Sequence, residues 1–304
     1  MPNWNEVLAE MSVLGQRTSP LDVVRKKYIT KMSKHTGRNV IAYYSGFLQK
    51  NTQSISHLLS MTDDDKNGFM SAINGMDPDK GLDLLIHTPG GDIAALESLG
   101  QYLRAKFGTN IRAFVPMIAM SAGTMLACCA KEIVMGKQSN IGPFDPQMGG
   151  IPAHGILEEV DKAKKDILDD HRLLAFWQFN LQKLHPTFIG ECEKAIKWAS
   201  EIVSEWLVSG MFAGDADAQQ KAEHICSKLN DHSTTYAHAR HIHMDKARDI
   251  GLKIVALEDD QKLQDLVLTI HHSYMHTFGS SSAVKIIENH NGSTMMWHAP
   301  QVQV

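Results

Sequence analysis

Two apolar strands that end in sharp breaks and are joined by a helix constrain this chain more than any other feature. The run Leu82-Asp83-Leu84-Leu85-Ile86-His87 has the length and apolar density of a buried strand and stops at Thr88-Pro89-Gly90-Gly91. Asp92 opens a helical pattern with Ile93, Leu96, Leu99 and Leu103 on its buried face, and Gly108 ends it. Residues 111–115 read as a second apolar strand, after which Met120-Ser121-Ala122-Gly123-Thr124 opens an apolar helix over 122–130. A strand–helix–strand unit makes a right-handed crossover in a parallel sheet. The expected architecture is therefore α/β, with a twisted, largely parallel sheet and helices outside it.

The flanking sequence fits one domain over residues 1–304. Residues 3–34 read as two helices, the first with Trp4, Val7, Leu8, Met11 and Leu14 at helical spacing and the second opened by Ser19-Pro20. Their apolar face suits either the core or a neighbouring subunit, so residues 1–35 are expected to form a helical arm. The α/β core spans 36–155. It starts with a strand over 39–45 and includes a short helix opened by Asp63-Asp64-Asp65, a strand over 132–135, and an irregular, Pro- and Gly-rich segment over 140–147. Residues 156–292 read as a helical region, with breaks near His185-Pro186 and 210–215, a late strand over 253–257 and a final helix over 261–276. Residues 293–304 are expected to be a fraying tail.

Some function classes are disfavoured outright. A formal net charge of −4 with scattered basic residues offers no field for nucleic acid. No apolar run is long enough to span a bilayer. The N-terminus carries Glu6 and Glu10 and lacks the basic n-region of a signal peptide. Cys128, Cys129, Cys192 and Cys226 form no Cys-x-x-Cys pair and read as buried thiols in a reducing, cytoplasmic compartment. Among the 16 histidines, His238, His241 and His243 form one group, and His271, His272 and His276 another. His272 and His276 stand at i, i+4, but no His-Glu-x-x-His pattern accompanies them. Interface contacts or capping of buried carbonyls are the expected roles; neither a metal nor a cofactor is expected.

What the two strand ends can do chemically is acyl transfer. That reaction needs a nucleophile and N–H donors placed where an oxyanion forms. Ser121 sits where a strand gives way to a helix, so free N–H groups of the first turn, Ala122 foremost, surround it. Gly90 and Gly91 can bring bare backbone close to a substrate. Ala119-Met120-Ser121-Ala122-Gly123 lacks the first glycine of a Gly-x-Ser-x-Gly elbow, which removes the α/β-hydrolase reading. Asp145 lies in a Pro-bounded loop that either lines the site or serves as a turn residue. Met117, Met120 and Met125 suit an adaptable apolar groove or plain core filling.

His87-Thr88-Pro89-Gly90-Gly91, the segment 119–124 and Gly142-Pro143-Phe144-Asp145-Pro146-Gln147 together resemble the serine dehydrogenase proteinase family. That family is a branch of the Clp protease/crotonase-like fold related to signal peptide peptidase A. The resemblance runs over about residues 28–292; Ala247-x-x-x-Gly251-Leu252 also looks like a late segment shared across that fold. It implies a ββα-spiral core, a homo-oligomer and a serine peptidase acting on peptide or protein substrates, with Ser121 as nucleophile and Gly91 and Ala122 as oxyanion donors.

One departure matters. Where Clp protease subunits carry the histidine base, in the loop after the next strand, this chain has Phe144, so a triad in that register is not expected. Relatives of signal peptide peptidase A use a downstream lysine instead, which points by resemblance to Lys165 and Lys162. Those lysines share a helix face with Glu158, Asp161 and Asp169 at i, i+4 spacing, as in a solvated ion-paired surface. His154 needs no large pKa shift to accept a proton, and a C-terminal histidine brought to Ser121 by the fold is a further option. The leading reading is a cytoplasmic, ATP-independent serine peptidase of Ser-Lys type. A crotonase-like acyl-CoA enzyme, or a non-catalytic assembly protein without a base, stands beside it.

Overall fold

The computed structural model describes residues 19–50, 53–230 and 237–300. The expected helix over Trp4 to Leu14 lies outside the described residues.

The strands are β1 Asn39–Ser45, β2 Leu82–His87, β3 Ile111–Val115, β4 Ile118–Ala119, β5 Glu132–Met135, β6 Asn140–Ile141, β7 Gln147–Met148, β8 Ile151–Pro152, β9 Ile242–His243, β10 Ile254–Ala256, β11 Ala283–Asn289 and β12 Thr294–His298. The α-helices are α1 Pro20–Thr36, α2 Ser56–Leu59, α3 Asp65–Ile73, α4 Ile93–Phe107, α5 Ala122–Cys128, α6 Ala153–Asp169, α7 Leu174–Leu181, α8 Phe188–Trp206, α9 Ala218–Leu229, α10 Met244–Ile250 and α11 Gln261–Ser280.

The central sheet has the order β10-β5-β3-β2-β1-β11-β12. From β10 to β1 every pairing is parallel, and β11 and β12 add an antiparallel edge. Alternation along the strands feeds two cores. Ile41, Tyr43, Leu84 and Ile86 point into the layer shared with α4, α5, α8 and α9. Val40, Ala42, Tyr44 and Leu85 point to the other face, under Ile29 and Met32 of α1 and Val267, Ile270 and Tyr274 of α11. Both faces being covered, β1 and β2 are buried throughout, as their near-continuous apolar sequence requires. The α/β expectation of a largely parallel sheet holds, with an antiparallel pair added at one side.

The C-terminal end corrects the sequence reading. Residues 283–289 and 294–298, expected as the close of a helical region and a fraying tail, form a hairpin that pairs β11 with β1. The Gly/Ser run conceals it, because the strand is stabilised by a partner more than 240 residues away rather than by its own flanks. The apolar face of α1 packs on α11 and β1 of the same chain.

Beside the main sheet lies a three-stranded one, β4-β6-β9. Its strands have two residues each, yet they gather the loops that carry the site.

Candidate active site

The backbone at Ser121 is unusual. Its φ is 52° and ψ −119°, and it is the only non-glycine residue at positive φ among the described residues. A serine in this region is strained, at a cost of about 1–3 kcal/mol, so the surroundings must hold it there. They do so from both sides. Met120 N–H donates to Thr88 O (3.1 Å) and Thr88 N–H to Ile118 O (3.2 Å). Gly123 N–H donates to Met120 O (2.8 Å), and Thr124 Oγ1 donates to Ala119 O (2.8 Å). Ser121 is half-buried, and its hydroxyl makes no capping bond to α5.

The glycine turn meets Ser121 directly. A methyl group on Gly90 would stand 2.7 Å from Ser121 Cβ, 2.9 Å from Met120 O and 3.2 Å from Ala122 N. On Gly91 it would stand within 2.4 Å of the Met61 backbone. Both glycines have positive φ, 107° and 157°. The turn is clamped by Met61, whose N–H donates to Gly90 O (2.8 Å) and whose carbonyl accepts from Asp92 N–H (3.0 Å). Gly90 N–H donates to Thr88 Oγ1 (3.2 Å). Among the described residues the N–H groups of Gly91 and Ala122 donate to no protein acceptor. Two unspent donors thus belong to the two segments that meet at the serine.

The other expected site residues are placed as follows. Lys162 and Lys165 are exposed on α6, with Lys162 Nζ 5.9 Å from the centre of the Trp177 ring. The desolvation a lysine base requires is missing at both. His154 lines a cavity of about 610 Å³ with Ser200, Glu201, Cys226 and Asn230, whose lining includes neither Ser121 nor the glycines. Phe144 is core: it is 2% exposed, and its N–H donates to Leu229 O (2.9 Å). Asp145 is wholly buried, with Oδ1 2.8 Å from Nδ1 of His238 and Oδ2 accepting from Gln147 Nε2 (2.9 Å). Sequence reasoning grouped His238 with His241 and His243; the only pointer to its pairing was the abundance of histidine. Met125 is buried, whereas Met120 lies over Gly142.

Among the described residues no group of three or more His, Cys, Asp or Glu is arranged to hold a metal ion. The four cysteines are free and buried. His271 and His276 are buried in α11. His271 stacks edge-on to His87, the last residue of β2, with ring centres 5.1 Å apart. Burial drives the His87 imidazole down to about 3, and burial followed by the fields of His87 and His272 holds His271 well below the usual range. Folded protein keeps both rings neutral, while the unfolded chain takes up protons below about pH 6.5. Stability therefore falls as pH drops from about 6.5 toward 3. His87 contributes about 1.4 kcal/mol per pH unit, or about 2 kcal/mol by pH 5, and His271 acts in the same direction. Urea midpoints at pH 7.5 and 5 will show a smaller acid loss for His87→Leu than for the wild type, by about that amount.

With this geometry in place the comparisons are decisive. The sequence pattern of the ClpP-like SDH-type serine proteinases matches residues 13–288. The chain belongs to that family. The family resemblance and the Clp/crotonase-like fold expected from the motifs are thus borne out. Two uncharacterized proteins of Methanocaldococcus jannaschii are similar to it. MJ0137 is 27% identical over 84% of this chain and 79% of its own length. MJ1495 is 29% identical over 76% of this chain and 71% of its own length. Membership of a proteinase family implies protein substrates. No helix among the described residues is long and apolar enough to cross a membrane.

Proposed function

We propose that this protein cleaves peptide bonds by acylation of Ser121, with the N–H groups of Gly91 and Ala122 receiving the oxyanion. The observation that carries this is the strained serine set against Gly90. Strain of this kind persists where a reacting atom must be aimed. In the reaction Oγ attacks the scissile carbonyl and gives up its proton, the charge moves onto the carbonyl oxygen, and the C–N bond breaks as the departing amine takes a proton, leaving an ester on Ser121. Water then hydrolyses the ester. An acyl-CoA enzyme of the crotonase kind would use the same glycine donors but has no use for a strained serine.

The reading takes from the family resemblance that the chain acts without ATP. Its buried, unpaired thiols suit the cytoplasm. Homo-oligomerisation is supported by Leu168, Phe176 and Phe179 of α6 and α7, which are 86%, 59% and 60% exposed.

The test is to treat the intact protein with a fluorophosphonate and map the adduct by peptide mass spectrometry. The expected adduct is on Ser121. Protein that degrades casein while Ser121 stays unlabelled would remove the acyl-enzyme.

A further inference from the structure

We propose that the buried ion pair of Lys285 and Asp65 sets the aim of the Gly91 N–H, so that both are positioning residues for the oxyanion. This rests on the acyl-transfer reading above and extends it to two side chains outside every sequence motif. The direction of the Gly91 N–H follows from its partner. Met61 and Gly91 form a parallel bridge, with Met61 N–H bonded to Gly90 O and Asp92 N–H bonded to Met61 O. Both polar groups of Met61 are thus spent on the two neighbours of Gly91. In such a ladder the N–H of the residue between them points to the opposite side. Gly91 is exposed, so that N–H is open to a substrate. Where Met61 stands therefore decides where the donor points.

Met61 belongs to no helix or named strand, and its neighbours in sequence hold it in place. Ser60 O accepts from Lys285 Nζ (2.8 Å), and Thr62 N–H donates to Asp65 Oδ2 (3.1 Å). Lys285 Nζ in turn lies 2.5 Å from Asp65 Oδ1. Tyr43 of β1 donates its hydroxyl to Asp65 Oδ2 (2.8 Å). One ion pair thus grips the residues on either side of Met61, and both of its members are 1% exposed. Lys285 comes from β11, where it pairs in register with Ser45 of β1, whose Oγ donates to Leu59 O (2.7 Å). The clamp on the glycine turn is thereby fixed to the antiparallel edge of the main sheet.

The chemistry of the pair fits that role better than it fits stability. Desolvation offsets most of the attraction in a buried ion pair, so apolar residues of the same size would stabilise the fold as well. What charge adds is direction. An ammonium holds a carbonyl, and a carboxylate an N–H, with about twice the strength of neutral partners. Lys285 Nζ is committed to a carboxylate and a carbonyl and lies 5.1 Å from the centre of the Trp297 ring. It acts through Met61 rather than on a substrate.

The experiment measures kcat and KM with fluorescein-labelled casein, and the rate of fluorophosphonate labelling, in the full chain. Lys285→Met is expected to lower kcat by a factor on the order of 10–10², the usual effect of a donor displaced by about 1 Å, with KM within about threefold. Labelling should slow in parallel, because the phosphonyl oxygen meets the same N–H groups. The single variant leaves Asp65 charged and buried without its partner, which lowers stability. Adding Asp65→Asn removes that charge and should recover stability but not kcat, since Ser60 O still lacks its donor. Arg112→Met is the control: it breaks an ion pair with the buried Asp83 near the start of β2, and kcat should stay within about twofold. An unchanged kcat in folded Lys285→Met overturns the proposal, and so does a kcat that returns together with stability in the double variant. Either result would leave Ser121 as nucleophile, whereas absence of label on Ser121 in the wild type would refute the acyl-enzyme itself.

Discussion

Ser121→Ala will fold as the wild type does and lose peptide cleavage by a factor on the order of 10⁴–10⁶, the range found when a serine nucleophile is deleted from a preorganised site. The Ser121 hydroxyl caps nothing, so its loss should leave stability within about 0.5 kcal/mol. Ser121→Gly separates aim from chemistry more sharply. Glycine accepts φ of 52° without the steric cost a Cβ incurs, which relieves about 1–3 kcal/mol, less about 0.5–1 for the freer unfolded chain. This variant should be as inactive as the alanine one yet more stable than the wild type, by about 1 kcal/mol in a urea titration. A gain in stability coupled to a loss of activity is the signature of strain held for catalysis. Cleavage that survives in Ser121→Ala would remove Ser121 as nucleophile.

The two kinds of information in the site differed in how far they could be read from sequence. Gly90 and Gly91 were legible because they stand where a dense apolar strand stops, and Ser121 because a second such strand shortly precedes its helix; strands in a parallel crossover finish at the same end of the sheet. Gly90 lies against Ser121, while Gly91 lies against the Met61 backbone. The φ of Ser121 was not legible, since nothing in Met120-Ser121-Ala122 marks left-handed backbone. The segment before Ser121 is held by Thr88 on another loop, which accepts from Met120 N–H and donates to Ile118 O. β4, β6 and β9 have two residues each, too few for any period, and exist only by pairing with one another. The contact between Asp145 and His238 depends on that pairing across 93 residues. Lys162 and Lys165 were candidates by resemblance alone; their spacing with acidic residues already suited a solvated face, and both are exposed.

Arg25→Met will destabilise the fold by about 3–5 kcal/mol, the cost of removing one member of a buried ion pair. Arg25 lies in α1 with no exposed surface, and its Nε is 2.7 Å from Glu288 Oε1 of β11, also wholly buried. Its Nη1 donates to Thr277 Oγ1 (2.8 Å) and its Nη2 to Asp22 Oδ1 (2.5 Å). Without the guanidinium, Glu288 keeps among the described residues only hydroxyl donors, Tyr274 at 2.6 Å and Thr294 at 3.2 Å, which do not balance a charge in an apolar layer. The loss should appear as a lower urea midpoint at unchanged slope. Adding Glu288→Gln removes the stranded charge and should recover more than half of the deficit, because a neutral amide is far cheaper to bury than an unpaired carboxylate. A single mutant within about 0.5 kcal/mol of the wild type would show that Glu288 finds another counter-charge. The effect also reaches toward the site. Glu288 pairs in register with Ala42 of β1, and Ala42 with Leu85 of β2, two positions before the histidine that precedes the glycine turn. Loosening α1 from β11 therefore weakens the edge of the sheet on which the turn facing Ser121 is built.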